Sequence, residues 1–164
     1  MSYNAGGMRI YLMRHGHALS CAESGVRSDM ERPLSELGVQ ESRESAQRLL
    51  RRGAKPQLAL CSPLMRAQST AQEVASVLGL PQPRVYKPLE NILPGSALVD
   101  LFLKERWDAS ELLLVGHMPQ VAEASARLSG CPLHFMTAAV AAFESGDKGA
   151  PWRMLWQTSP VDPE

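Results

Sequence analysis

The sequence predicts an α/β fold: a three-layer α/β/α sandwich whose central sheet is mostly parallel, with helices on both faces. Three observations predict it. Short apolar runs at 8–13, 57–61 and 111–115 alternate with segments whose apolar residues recur at helical spacing. The runs are apolar at nearly every position, as strands covered on both faces must be. The chain has 164 residues, 45% of them hydrophobic and 21% charged, enough for one domain with a full core.

Met8 to Met13 reads as the first strand, and a polar loop from Ser20 to Pro33 follows it. Ser35 is placed to cap a helix running to about Arg52, with Val39, Ala46, Leu49 and Leu50 on its apolar face and Gly53 as its stop. Gln57 to Cys61 is a second short strand. Ser62 then reads as a helix cap, with Pro63 at the first helical position, where a missing N–H costs nothing. Ala67, Ala71, Val74 and Leu78 line that helix, which ends at Gly79. Arg84 to Tyr86 suggests a short strand. Ser96 to Trp107 suggests a helix with Leu98, Leu101 and Phe102 inward.

Glu111 to Val115 is the third buried strand, and Pro119 opens a helix carrying Val121, Ser125 and Leu128 that closes at Gly130. Ala138 to Glu144 and Trp152 to Thr158 read as a hairpin-like antiparallel return at one side of the sheet. Residues 8–160 are thus expected to form one domain, between a disordered leader at 1–7 and a frayed tail at 161–164 that includes Pro163.

Composition removes several function classes. Lys plus Arg and Asp plus Glu number 17 each, so there is no basic excess of the kind a general nucleic-acid binder carries. An anion site must then be a local gathering of cations. No apolar run approaches the length of a bilayer span, and the N-terminal residues lack the pattern of a signal peptide. Cys21, Cys61 and Cys131 are odd in number and widely spaced, which points to a reducing cytoplasm. No Cys or His pair has the spacing of a structural zinc site.

The chemistry gathers at three strand ends. The first run ends in Arg14-His15-Gly16, the second in Ser62-Pro63-Leu64-Met65-Arg66-Ala67, and the third in Gly116-His117. In parallel sheets ligands bind at the carboxyl ends of strands. If the three strands are parallel neighbours, Arg14, His15, Arg66 and His117 meet at one edge. Two guanidiniums and two imidazoles together call for an anion, and a tetrahedral phosphoryl group suits them.

Arg14-His15-Gly16 closing a strand, the run from Ser62 to Ala67 followed by Thr70, and Gly116-His117-Met118-Pro119 resemble the three motifs of the histidine phosphatase superfamily. The compact length, Arg32-Pro33-Leu34-Ser35 before the first long helix, and the Trp156 to Pro160 ending look like its SixA-type phosphohistidine phosphatase branch. The resemblance implies His15 as nucleophile, Arg14 and Arg66 as phosphate clamps, and a protonated His117 donating to a phosphoryl oxygen, with no metal or cofactor. Ser62, Arg32 and His17 are candidate substrate contacts. His17 stands where an acidic residue is usual in that branch, and a place on the rim is the alternative for it. Esterases of the superfamily also use a carboxylic acid, for which Glu90 is the nearest candidate.

The implied substrate is a phosphorylated protein, such as a histidine phosphotransfer domain. A small phosphate ester is the alternative. An imidazole leaves more readily than an alkoxide, so phosphohistidine can be cleaved without a strong general acid.

Overall fold

The protein is described here from a computed structural model covering residues 7–147 and 149–163. Of the expected leader, only Gly7 lies within the described residues. Six strands form one sheet: β1 (Arg9–Arg14), β2 (Leu58–Cys61), β3 (Arg84–Val85), β4 (Glu111–Gly116), β5 (Val140–Glu144) and β6 (Arg153–Thr158). Their order is β3-β2-β4-β1-β5-β6. β1 to β4 run parallel, while β5 and β6 return antiparallel at one side, as the sequence predicts. β4 lies between β1 and β2, so the three motif-bearing strands are adjacent. The register sets Arg14 opposite Gly116 and Cys61 opposite Val115.

The helices are α1 (Cys21–Ser24), α2 (Glu36–Arg51), α3 (Met65–Leu78), α4 (Gly95–Lys104) and α5 (Gln120–Ser129). Strand alternation divides the core in two. Ile10, Leu12, Leu112 and Leu114 face one side and pack with Leu98, Phe102, Val121 and Leu128 of α4 and α5. Tyr11, Met13, Leu113 and Val115 face the other and pack with Ala46, Leu49, Ala67, Ala71 and Val74 of α2 and α3. Each fully buried Leu or Phe contributes roughly 1.5–3 kcal/mol. The small residues of α2 and α3 let these helices lie close to each other and to the sheet.

Several expectations are corrected. Leu50 and Leu101 are exposed. Each lies at the edge of its helical stripe, and Ser42, Ser45 and Arg48 instead complete the inward face of α2. Ser62 does not cap α3. That helix starts at Met65 with Leu64 at the cap position, two residues beyond Ser62, whose hydroxyl accepts from the Leu64 amide instead. Pro119 precedes α5 as its cap residue instead of opening it. Two single-turn 3₁₀ segments, Asp29–Glu31 and Lys87–Glu90, stand where loops are expected. In the tail, the Asp162 carbonyl accepts from Arg48 and its carboxylate caps Ser159. Among the described residues no helix is long and apolar enough to cross a membrane.

Candidate active site

The carboxyl ends of β1, β2 and β4 form the floor of the site. The backbone of His15 extends the sheet by one residue: its N–H donates to the Gly116 carbonyl at 3.0 Å, and its own carbonyl accepts from Ala138 at 3.0 Å. The next residue leaves the sheet. The Gly16 amide donates to the Thr70 hydroxyl at 3.0 Å, and that hydroxyl donates to the Arg66 carbonyl at 2.7 Å. A side chain on Gly16 would collide with the Gly38 carbonyl, and one on Gly38 with the His17 carbonyl. Two glycines thus let the start of α2 lie directly against the loop that carries His15.

The four expected residues come together. The rings of His15 and His117 lie 5.1 Å apart between centroids, inclined at 60°. His15 Nδ1 is 2.7 Å from the Gly16 carbonyl. A carbonyl only accepts, so Nδ1 carries the proton and Nε2 keeps its lone pair for attack. His117 Nε2 is 2.7 Å from the Ser62 hydroxyl, so Ser62 is the partner of His117. When that hydroxyl donates to Nε2, Nδ1 of the neutral ring keeps its hydrogen.

Arg14 Nη1 donates to the Phe135 carbonyl at 2.9 Å. Arg66 Nη1 and Nη2 donate to the carbonyl and a carboxylate oxygen of Asp29, at 2.8 and 3.1 Å. The Nε of each guanidinium is buried and has no partner within the protein. Two buried donors without a protein partner thus lie in the same cluster as the two imidazoles.

Burial pushes His15 down to about 4, with Arg66, Arg14 and Arg32 adding repulsion against the hydrogen bond to Gly16. Burial, then His15 and Arg66, push His117 down to about 3. With no phosphoryl group between them both rings are neutral at pH 7, because burial disfavours the charged forms and the cations around them add repulsion; the protonated His117 that the resemblance implies belongs to the site with phosphate bound. A phosphoryl dianion reverses the sign of the nearest charge and makes protonation of His117 cheaper.

The outer candidates divide. Arg32 comes to the site: its Nε donates to the Leu19 carbonyl at 2.8 Å and its Nη1 to Asp29 at 3.0 Å, and its charge reaches His15. His17 takes the rim position. It is exposed, and its Nδ1 lies 2.7 Å from the Ser35 hydroxyl. Glu90 ends the 3₁₀ turn beside His117: the neighbouring Asn91 side chain donates to the Met118 carbonyl, and Leu89 packs against Gly116.

From sequence Thr70 has only its place in the second motif and Asp29 only that of a turn former, while Gly38 and the Phe135 carbonyl carry no reading. Thr70 falls four residues after Arg66, one helical turn along the same face, and this spacing is the signal that could have found it. Asp29 and Phe135 reach the site only through long-range folding.

This chain belongs to the histidine phosphatase superfamily (branch 1), whose family model matches residues 10–95. Its similarity extends to particular relatives. It is 32% identical over 159 residues to the phosphohistidine phosphatase SixA of Escherichia coli (strain K12), covering 94% of this chain and 96% of that protein. An uncharacterized protein of Picosynechococcus sp. is 37% identical over 119 residues, covering 71% of this chain and 70% of its own length. The solved structure of the protein histidine phosphatase SixA complexed with tungstate superposes with a TM-score of 0.79 at 31% identity, over 93% of this chain and 97% of that one.

Proposed function

We propose that this protein is a phosphohistidine phosphatase that removes phosphate from a histidine of another protein, such as a histidine phosphotransfer domain, through a phosphorylated His15. The observation that carries this reading is the set of a free His15 Nε2, an imidazole partner at 5.1 Å and two buried, orphaned arginine Nε donors. The similarity to SixA over nearly the whole chain supports the substrate class.

The chemistry runs in two steps. Arg14 and Arg66 hold the non-bridging oxygens, and Arg32 adds charge from the rim. His15 Nε2 attacks phosphorus in line, and the departing ring leaves as neutral imidazole. His117, held by Ser62, donates to the oxygens as negative charge gathers there. Water then cleaves the phosphohistidine of the enzyme. Incubation with a protein phosphorylated on histidine should release inorganic phosphate, with the label trapped on His15 after rapid quench. His15→Ala should abolish both. Full turnover in that variant would overturn the mechanism.

A second reading, hydrolysis of a small phosphate ester, is favoured by the place of Glu90 on the turn that borders Gly116 to Met118. Glu90 would then protonate the leaving oxygen. Glu90→Gln should slow ester hydrolysis strongly and leave phosphohistidine hydrolysis nearly intact. Equal, small effects on both substrates would remove Glu90 from the reaction.

A further inference from the structure

Asp29 stands out in a site otherwise made of cations. It lies in the segment between β1 and α2, and each of its carboxylate oxygens meets a different guanidinium: Arg32 at 3.0 Å and Arg66 at 3.1 Å. Its carbonyl takes a second hydrogen from Arg66 at 2.8 Å. Among the described residues it is the one carboxylate hydrogen-bonded to Arg14, Arg32 or Arg66. Glu41 acts on Arg14 only through space, because its oxygens receive the His17 amide and the Thr137 hydroxyl. The Asp29 side chain is 62% exposed, whereas that of Arg66 is 9% exposed. The carboxylate therefore sits where the buried clamp meets solvent, on the side from which a substrate arrives. Arg32, ahead of Arg66, holds its carboxyl below the usual range, so it is ionised at neutral pH.

We propose that Asp29 is a specificity-determining residue that lets the site accept a positively charged leaving group, the protonated ring of phosphohistidine, in preference to a neutral or anionic one. This inference rests on the functional reading above. With both site imidazoles neutral, the fixed positive charges are the guanidiniums of Arg14, Arg32 and Arg66. Asp29 and the two charges of a phosphoryl dianion offset them, with Glu41 adding its charge to Arg14 from further off. No surplus positive charge then opposes a proton on the substrate ring. Without Asp29 the potential beside Arg32 and Arg66 becomes more positive, which repels the protonated ring but favours purely anionic esters.

The proton on the substrate ring matters to the bond that breaks. The lone pair of His15 Nε2 forms the new N–P bond as the substrate N–P bond opens. The bonding pair returns to the substrate nitrogen. Because the ring already carries a proton on its other nitrogen, it departs as neutral imidazole, and the enzyme supplies no proton in that step.

Asp29→Asn removes the charge and one of the two acceptors: the amide oxygen can still accept from Arg66 while its NH2 faces Arg32, and the backbone carbonyl is unchanged. Two probes are compared: a small protein phosphorylated on histidine with phosphoramidate, and p-nitrophenyl phosphate, whose leaving group is anionic. The readout is the ratio of their kcat/KM values, which does not depend on the fraction of enzyme folded. In Asp29→Asn the ratio should move about tenfold toward the ester. In Asp29→Glu it should stay near the wild-type value. A ratio unchanged in Asp29→Asn, whether both rates fall or neither does, overturns the proposal and leaves Asp29 at most a positioning residue for Arg66. A wild-type enzyme that cleaves the ester but not the phosphoprotein overturns the functional reading, and this inference with it.

Discussion

The amide of Gly16 donates to the hydroxyl of Thr70 across 3.0 Å, tying the loop that carries His15 to the helix that carries Arg66. Thr70 is fully buried, so the bond holds the proposed nucleophile, His15, in place relative to Arg66. Thr70→Val keeps the shape and removes the acceptor, leaving a buried N–H unpaired at a cost of about 1–3 kcal/mol. Thermal unfolding should begin roughly 2–10 °C lower, and phosphatase activity should fall with it. Thr70→Ser should behave like the wild type. A Thr70→Val enzyme with unchanged melting and turnover would show that the link is idle.

Gly38 offers a test with an inverted sign. Ala is normally the better helix residue by about 1 kcal/mol. Here the added methyl meets the His17 carbonyl, which is backbone and cannot swing aside. Gly38→Ala should therefore destabilise the protein by about 1–3 kcal/mol, as overpacking does. It should also cut turnover by as much as about 100-fold, since it displaces the loop bearing His15. Differential scanning calorimetry with steady-state rates decides it. A stabilised variant would refute the close approach.

The orphaned Nε groups of Arg14 and Arg66 predict where an oxyanion binds. Tungstate or vanadate at about 100 times its Kd should add about 2.7 kcal/mol of stability. Arg14→Lys and Arg66→Lys should each lose most of that gain, because an ammonium cannot present the planar fork of donors. Titration followed by thermal shift measures it. A full shift in both lysine variants would place the anion elsewhere.

The neutral imidazoles make stability depend on pH. An unfolded chain takes up protons on His15 and His117 near pH 6.5, whereas the folded chain resists until about 4 and about 3. Between those limits the unfolded state binds more protons, so stability rises with pH. The contribution is fully present above about pH 6.5 and is lost as pH falls toward 4 and below. For His15 alone the loss is on the order of 3 kcal/mol. Urea midpoints between pH 7 and 4.5, in buffers free of phosphate, should fall steadily. His117→Asn should flatten the curve, and added tungstate should as well. A level wild-type profile would mean that the rings are charged in the folded protein.

Ser62 shows how a local signal can mislead. Ser-Pro is a common helix start, and its neighbours carry no hint that the hydroxyl serves His117, 55 positions away. Leu50 and Leu101 show the same limit, since helical period locates a stripe but not its edges. Arg14, His15, Arg66 and His117 were legible because each closes, or shortly follows, an apolar run, and parallel strands end at a common edge.

The order of residues alone therefore determined the sheet, its two helical layers and the four side chains that meet at its carboxyl edge. Those follow from periodicity and from strands that point the same way. Only the tertiary structure decided the charge state of the two imidazoles, the tautomer of His15, and the arrival of Asp29, Thr70 and the Phe135 carbonyl. Each of these depends on how deeply a group is buried and on which distant atoms surround it. Neither quantity exists until the chain has closed around the site.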